Sequence, residues 1–139
     1  MADTMQFDLV SPERRLASLA AKAVQIPGAE GDLTAMPDHS PMITTLRPGL
    51  LTVTAEDGAE SKFAVIGGFA EITAEGTTVL AEHAVPAEEM TSEALEEFLS
   101  DAAAARDNAS PEDLDSLAKA AADIAALGND LGLSVRTNA

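Results

Sequence analysis

The chain has 139 residues, 46% of them hydrophobic, and a net charge of −16; it contains no Cys, Trp or Tyr and only four Phe. That length suits one ordinary domain or two small ones, with a core of Val, Ile, Leu, Met and Ala that will be thin in places. Without Cys there is no disulfide framework, thiolate nucleophile or Cys metal site, and the excess acid disfavours binding to nucleic acid or to anionic lipid surfaces.

The opening "MADTMQFDL" lacks a basic region followed by an apolar run, so no signal peptide is expected. No apolar segment approaches the ~20 residues of a membrane span. A soluble protein that stays where it is made is the expectation. Up to about residue 86 the hydrophobic pattern has period two. Met5, Phe7 and Leu9 alternate with Gln6 and Asp8; Leu51, Val53 and Ala55 with Thr52, Thr54 and Glu56; Ala70, Ile72 and Ala74 with Glu71, Thr73 and Glu75. Turn signals separate these runs: "SPE" at 11–13, "EDG" at 56–58, "GG" at 67–68 and "EGT" at 75–77. Short alternating runs at such spacing predict an antiparallel sandwich or barrel, each strand giving one face to the core. Asp57-Gly58 predicts a hairpin turn, because both residues tolerate positive φ. The segment 14–28, "RRLASLAAKAVQIPG", is rich in helix formers. Its β-branched tail, Val24 and Ile26, makes it a strand in this reading, stopped by Pro27-Gly28.

The next stretch, "GAEGDLTAMPDHSPMITTLRPG" (28–49), mixes glycines and prolines with acids and one histidine. It has too much punctuation for a helix and too many apolar residues for a linker. After Pro86 the period changes. Thr91 predicts a cap for a helix whose apolar positions are Leu95, Phe98, Leu99 and Ala102. "DNASPED" (107–113) breaks and restarts the chain, with Ser110 as the expected N-cap, Pro111 at the first helical position and Asp113 three residues past the cap. The second helix carries Leu114, Leu117, Ala118, Ala121, Ile124, Ala125 and Gly128 on one stripe. Two amphipathic helices joined by a short turn make an antiparallel hairpin, whose alanine-rich seam buries little area. The predicted organisation is therefore a β-sandwich over residues 1–87 and a helical hairpin over 88–139. From Glu88 onward there are twelve acids and three bases, against twelve acids and five bases before it, so the hairpin is the more acidic half per residue.

Chemistry is sparse. No G-x-S-x-G elbow is present, and the histidines, His39 and His83, fall in a loop and at a strand end. Glu30, Asp32, Asp38 and His39 offer metal donors in one loop, at a spacing that matches neither an EF-hand nor H-E-x-x-H. No phosphate-binding glycine motif appears, and Gly67-Gly68 reads as a bulge or a close backbone approach. Aromatic platforms for bases or sugars are lacking. By elimination no catalytic residue, nucleotide site, metal or cofactor is expected, and the loops serve contact. The competing reading is a small metal-dependent or hydrolytic enzyme using Glu30, Asp32 and His39.

The 28–49 stretch resembles the signature region of the epsilon subunit of F-type ATP synthases, which runs approximately G-x-E-G-x-x-G-x-x-P-x-H-x-P-x-x-x-x-L-x-P-G. Here Gly28-x-Glu30-Gly31, Pro37-x-His39-x-Pro41 and Leu46-x-Pro48-Gly49 carry the match. "VSPE" (10–13), "GGFAEI" (67–72) and "TVLAE" (78–82) follow the family in order, so the resemblance spans the chain. Thr34 and Asp38 stand where the family usually has glycine, which predicts a local change of loop shape.

The resemblance implies a ten-stranded antiparallel sandwich followed by a helical hairpin. It also implies a central-stalk rotor subunit that couples the gamma subunit to the c-ring in proton-driven ATP synthesis. Such a subunit is non-catalytic and peripheral, on the cytoplasmic side of the bacterial inner membrane, with no membrane insertion of its own. Glu30, Asp32 and His39 match positions that face the c-ring, and Gly28, Gly31, Pro37, Pro41, Pro48 and Gly49 give the loop its shape. In relatives the hairpin reaches the catalytic alpha and beta subunits and inhibits hydrolysis through basic residues. Three bases in a field of acid predict weak inhibition here. In some relatives the first helix opens with an ATP-binding pattern, I/L-D-x-x-R-A. The matching Met90-Thr91-Ser92-Glu93-Ala94-Leu95 lacks its Asp and Arg, so ATP binding is expected to be absent or very weak.

Overall fold

The computed structural model describes residues 4–37 and 40–133. The chain divides into two compact units, one ending at Ala87 and the other beginning at Glu88. The first holds seven strands: β1 (Met5–Val10), β2 (Arg15–Gly28), β3 (Gly31–Ala35), β4 (Met42–Thr45), β5 (Gly49–Ala55), β6 (Glu60–Ile72) and β7 (Gly76–Pro86). The second holds α1 (Ser92–Asp107) and α2 (Leu114–Asp130).

The strands run in the order β1-β7-β6-β5-β2-β3, and a further β1–β2 pairing closes the sheet on itself, with β4 added alongside β6. All pairings are antiparallel except β1 with β7. Mainly β with an appended helical hairpin is the class expected from the alternation. The count differs, because the ten strands expected become seven continuous ones among the described residues. β2, β6 and β7 are 14, 13 and 11 residues long, and each serves both layers. The first half of β6 pairs with β5 through Glu60–Val65 and its second half with β4 through Phe69–Ile72. Likewise β2 pairs with β1 up to Ala21 and then with β5 and β3, with a register shift between Ala21 and Ala23 at the changeover. A bulge lets a strand bend without ending, and counting each long strand twice restores ten.

Gly67 and Gly68 are the corresponding device in β6, with φ of 76° and 109°. A Cβ on Gly68 would lie 2.0 Å from the Leu80 carbonyl oxygen of β7, so only glycine fits this close approach. At the β5–β6 turn, the Ala55 N–H donates to the Ala59 carbonyl (2.8 Å) and the Gly58 N–H to the Ala55 carbonyl (2.9 Å). The Asp57 carboxylate accepts from the Ala59 N–H (2.9 Å), and Gly58 takes a φ of 88°. The predicted hairpin therefore forms at Asp57-Gly58.

Alternation fills the core from both layers: Phe7 and Leu9 of β1, Val24 and Ile26 of β2, Leu51 and Val53 of β5, and Ile72 and Val79 are all buried. Each such side chain contributes about 1.5–3 kcal/mol when it leaves water. Segment 15–28 is a strand despite its alanines, because neighbours on both edges supply a full ladder of hydrogen bonds that outweighs local helix propensity.

In the hairpin, the Thr91 hydroxyl accepts from the Ala94 N–H (3.1 Å), the cap expected for α1. The second helix starts later than its capping residues suggest. Ser110 does not cap it: its hydroxyl donates to the Asp113 carboxylate (3.2 Å), and the Asp113 N–H closes a turn onto the Ser110 carbonyl (3.0 Å). This turn uses Pro111 and Glu112, and α2 begins at Leu114 with Asp113 at its N-cap position. Its apolar stripe matches the expected one from Ala121 onward, with Leu117, Ala121 and Ala125 half-buried. Ile124, Leu127 and Gly128 are buried, whereas Leu114 and Ala118 are exposed. Gly132, at φ 73°, ends the helix in a Schellman motif. Its N–H donates to the Asn129 carbonyl (3.1 Å) and the Leu133 N–H to the Gly128 carbonyl (2.9 Å).

Candidate functional site

Residues 28–37 and 40–49 form a braced edge of the sandwich more than a loop. β3 and β4 lie within the stretch, and β3 stands at the end of the strand order. The tight turn from β2 into β3 places Ala29 and Glu30 at its tip, between Gly28 and Gly31. Three backbone links tie this tip to the segment leaving β4. The Ala29 N–H donates to the Thr45 carbonyl (2.8 Å), the Arg47 N–H to the Pro27 carbonyl (2.9 Å), and Gly28 bridges Leu46. Leu46 is buried, and its N–H donates to the Gly68 carbonyl (2.9 Å), which fastens the edge to β6.

The glycines of this edge serve two different needs. Only Gly31 uses a positive φ, 141°. Gly28 and Gly49 are needed for closeness instead. A Cβ on Gly28 would lie 2.6 Å from the Gly31 carbonyl oxygen, and one on Gly49 would lie 2.8 Å from the Pro27 ring. Thr34, where the family usually has glycine, is an ordinary strand residue paired with Gln25, so no positive φ is required of it. Pro37 and Pro48 are half-buried and Pro41 is exposed.

The predicted contact residues have separate fates. Glu30 is exposed at the turn. Asp32 lies on β3, its side chain 74% exposed and paired with Arg47. His39 and Asp38 lie outside the described residues. His83 is on β7, paired in register with Ile66. Among the described residues no group of three or more His, Asp or Glu is arranged to hold a metal ion, and no helix is long and apolar enough to cross a membrane.

Arg47 is the residue the sequence reading passed over. Its guanidinium donates from one nitrogen to the Gly28 carbonyl (2.8 Å) and from the other to the Asp32 carboxylate. The signal was available. Arg47 is the only base between Lys22 and Lys62, in a segment that holds Glu30, Asp32 and Asp38.

A second surface feature lies on the same unit. The register Thr45↔Phe69, Phe69↔Leu80 and Leu80↔Val10 sets these four side chains in one row across β4, β6, β7 and β1. Phe69 is 41% exposed and Leu80 40% exposed. Beside them an open groove of about 350 Å³ runs between the β1 exit at Ser11-Pro12 and Glu82. Apolar side chains aligned and open to water mark a contact surface better than scattered ones do.

A family model described as the ATP synthase Delta/Epsilon chain, beta-sandwich domain, matches residues 4–87. The chain is 56% identical over 138 residues to the ATP synthase epsilon chain of Ruegeria sp. (strain TM1040), covering 96% of this chain and 100% of that one. It is 53% identical over 139 residues to the ATP synthase epsilon chain of Paracoccus denitrificans, covering 96% of this chain and 94% of that one. Among solved structures, a chain of the Euglena gracilis mitochondrial ATP synthase (OSCP/F1/c-ring, rotational state 1) superposes with a TM-score of 0.72 at 22% identity, over 94% of this chain and 83% of that chain; this likeness is one of fold. The sandwich match and the full-length identity together show that the chain belongs to the ATP synthase delta/epsilon family, among the bacterial epsilon chains, which are subunits of the complex and not its catalysts.

Proposed function

We propose that this chain is a rotor subunit of the central stalk, which couples the gamma subunit to the c-ring during proton-driven ATP synthesis. The observation that supports this most is the braced edge of the 28–49 stretch, whose exposed acidic tip is tied to residues 45–47 by backbone bonds and by the Arg47 side chain. A pre-ordered edge loses little conformational entropy on docking, which a contact under load requires. Glu30, Asp32 and the segment holding His39 face the c-ring in this reading. Acids there orient and steer an encounter with basic and amide groups more than they add affinity. The apolar row Val10, Phe69 and Leu80 offers the gamma subunit a surface whose burial supplies the affinity. The subunit is then peripheral, on the cytoplasmic side of the inner membrane.

The hairpin carries only a weak regulatory role in this proposal. Its N-terminal segment lacks the Asp and Arg of the nucleotide pattern, and its net charge opposes docking on acidic segments of the catalytic subunits. Mixing the chain with purified gamma subunit and separating by size exclusion tests the main proposal. A stable one-to-one complex is expected, and independent elution defeats it. Truncation after Ala87 in the assembled enzyme is expected to leave ATP hydrolysis little changed, and calorimetric titration with ATP is expected to show no micromolar binding. The rival enzymatic reading requires turnover by the isolated chain, and that turnover must be abolished by His39→Ala.

A further inference from the structure

We propose that Arg47 is a positioning residue that locks the tip at Ala29-Glu30, and that Asp32 serves as its counter-ion, which leaves Glu30 to carry the charge a partner meets. This deepens the assignment of the 28–49 edge as the ring-facing surface and rests on it only for the identity of the partner.

The guanidinium is a planar fork of donors, so it can serve two acceptors set side by side. Here one nitrogen takes the Gly28 carbonyl at the end of β2 and the other takes Asp32 on β3, so a single side chain straddles the turn. The Arg47 side chain is 25% exposed, and its backbone N–H is committed to the Pro27 carbonyl (2.9 Å). Arg47 therefore has little room to move, and Pro48 fixes φ immediately after it. An exposed ion pair such as the Asp32 half contributes little stability on its own. The hydrogen bond to Gly28 is the stronger half, because a charged donor meets a backbone carbonyl at a buried glycine. Asp32 in turn holds the fork in the plane that makes this bond possible.

Glu30 has a different position. It lies on the turn that the fork spans and is exposed. It follows Ala29 between Gly28 and Gly31, which face each other in register across the β2–β3 turn. Asp32 is engaged by Arg47, whereas Glu30 makes no ion pair among the described residues, so Glu30 is the acid of the tip that a cationic partner meets without displacing a bond. The clamp thus converts two acids of similar sequence context into one structural group and one contact group.

The test compares Arg47→Met, Arg47→Lys, Asp32→Asn and Glu30→Gln in the full chain by amide hydrogen exchange and by binding to detergent-solubilised c-ring carrying the gamma subunit. Arg47→Met is expected to speed exchange at the Ala29 amide about tenfold while the amides of β6 and β7 stay protected. Arg47→Lys, which cannot span both acceptors, is expected to fall between Met and wild type. Glu30→Gln is expected to leave exchange unchanged but to flatten the salt dependence of ring binding, whereas Asp32→Asn should retain that salt dependence. Unchanged Ala29 exchange in Arg47→Met overturns the clamp, as does a loss of salt dependence in Asp32→Asn equal to that in Glu30→Gln. Faster Ala29 exchange together with ring binding indifferent to Glu30→Gln keeps the clamp and defeats the ring-facing assignment instead.

Discussion

Replacing Gly68 with alanine tests whether the sandwich depends on the point where β6 passes from one layer to the other. The new Cβ would lie 2.0 Å from the Leu80 carbonyl oxygen and 2.8 Å from the Ala81 Cα, with φ at 109°. Both obstacles are backbone atoms of the strand paired with Gly68, so no side chain can swing aside and β6 and β7 must part. A non-glycine residue in a sparsely populated φ region costs about 1–3 kcal/mol. Forced separation of a close-packed pair adds about 1–3 kcal/mol. The sum, about 2–6 kcal/mol, is a large part of the 5–15 kcal/mol typical of a domain. Urea unfolding followed through NMR amide signals of β5 and β7 separates the sandwich from the helices, and the chain has no Trp to use as a fluorescent probe. With a slope near 2 kcal/mol per molar, the midpoint should fall by about 1–3 M. Gly58→Ala is the control, because its φ is 88° but nothing lies within 4 Å of the added atom. It should lose only the backbone share, about 1–3 kcal/mol. If Gly68→Ala loses no more than Gly58→Ala, the close approach is not what fixes glycine at this position.

Other expectations follow from burial and capping. Leu95, fully buried on α1, should cost the hairpin about 2–5 kcal/mol when changed to Ala, read as lost ellipticity at 222 nm with the β6 and β7 amide signals unchanged. Thr91→Ala removes the acceptor for the Ala94 N–H and should weaken the first turn of α1 by about 1 kcal/mol, seen as faster exchange at Ala94 and not at Leu99. Limited peroxide treatment should convert Met36 and Met42, 54% and 42% exposed, to sulfoxide well before Met5 and Met90, which are 3% and 8% exposed. Peptide mass spectrometry orders the sites, and early oxidation of Met5 would contradict the burial.

β3 and β4 lie in the punctuated 28–49 stretch, where no alternation marked them. By contrast, β1, β5, the second half of β6 and the hairpin turn at Gly58 were legible in the sequence because period-two alternation is imposed by one buried face and one wet face. The strand count was not, because a bulge at residues 21–23 and two glycines at 67–68 let strands change layer without a break in hydrophobic pattern. The start of α2 was misplaced for a local reason. Ser, Pro and acid three residues apart suit a cap and a turn equally, and the Ser110 hydroxyl found the Asp113 carboxylate instead of a backbone N–H. In the 28–49 edge, the acids and prolines were visible but their division of labour was not. Pairing Asp32 with Arg47 needs two residues fifteen apart to be brought together by β3 and by the exit from β4, which spacing alone does not state.

The three long strands also have a mechanical consequence. In a sandwich whose layers meet only through side chains, a tangential load makes one lamina slip over the other. Here β2, β6 and β7 run through both, so such slippage must stretch covalent backbone at three places. A tug on β4 at the outer edge reaches β5 along the continuous chain of β6, through peptide bonds and not through deformable contacts between methyl groups.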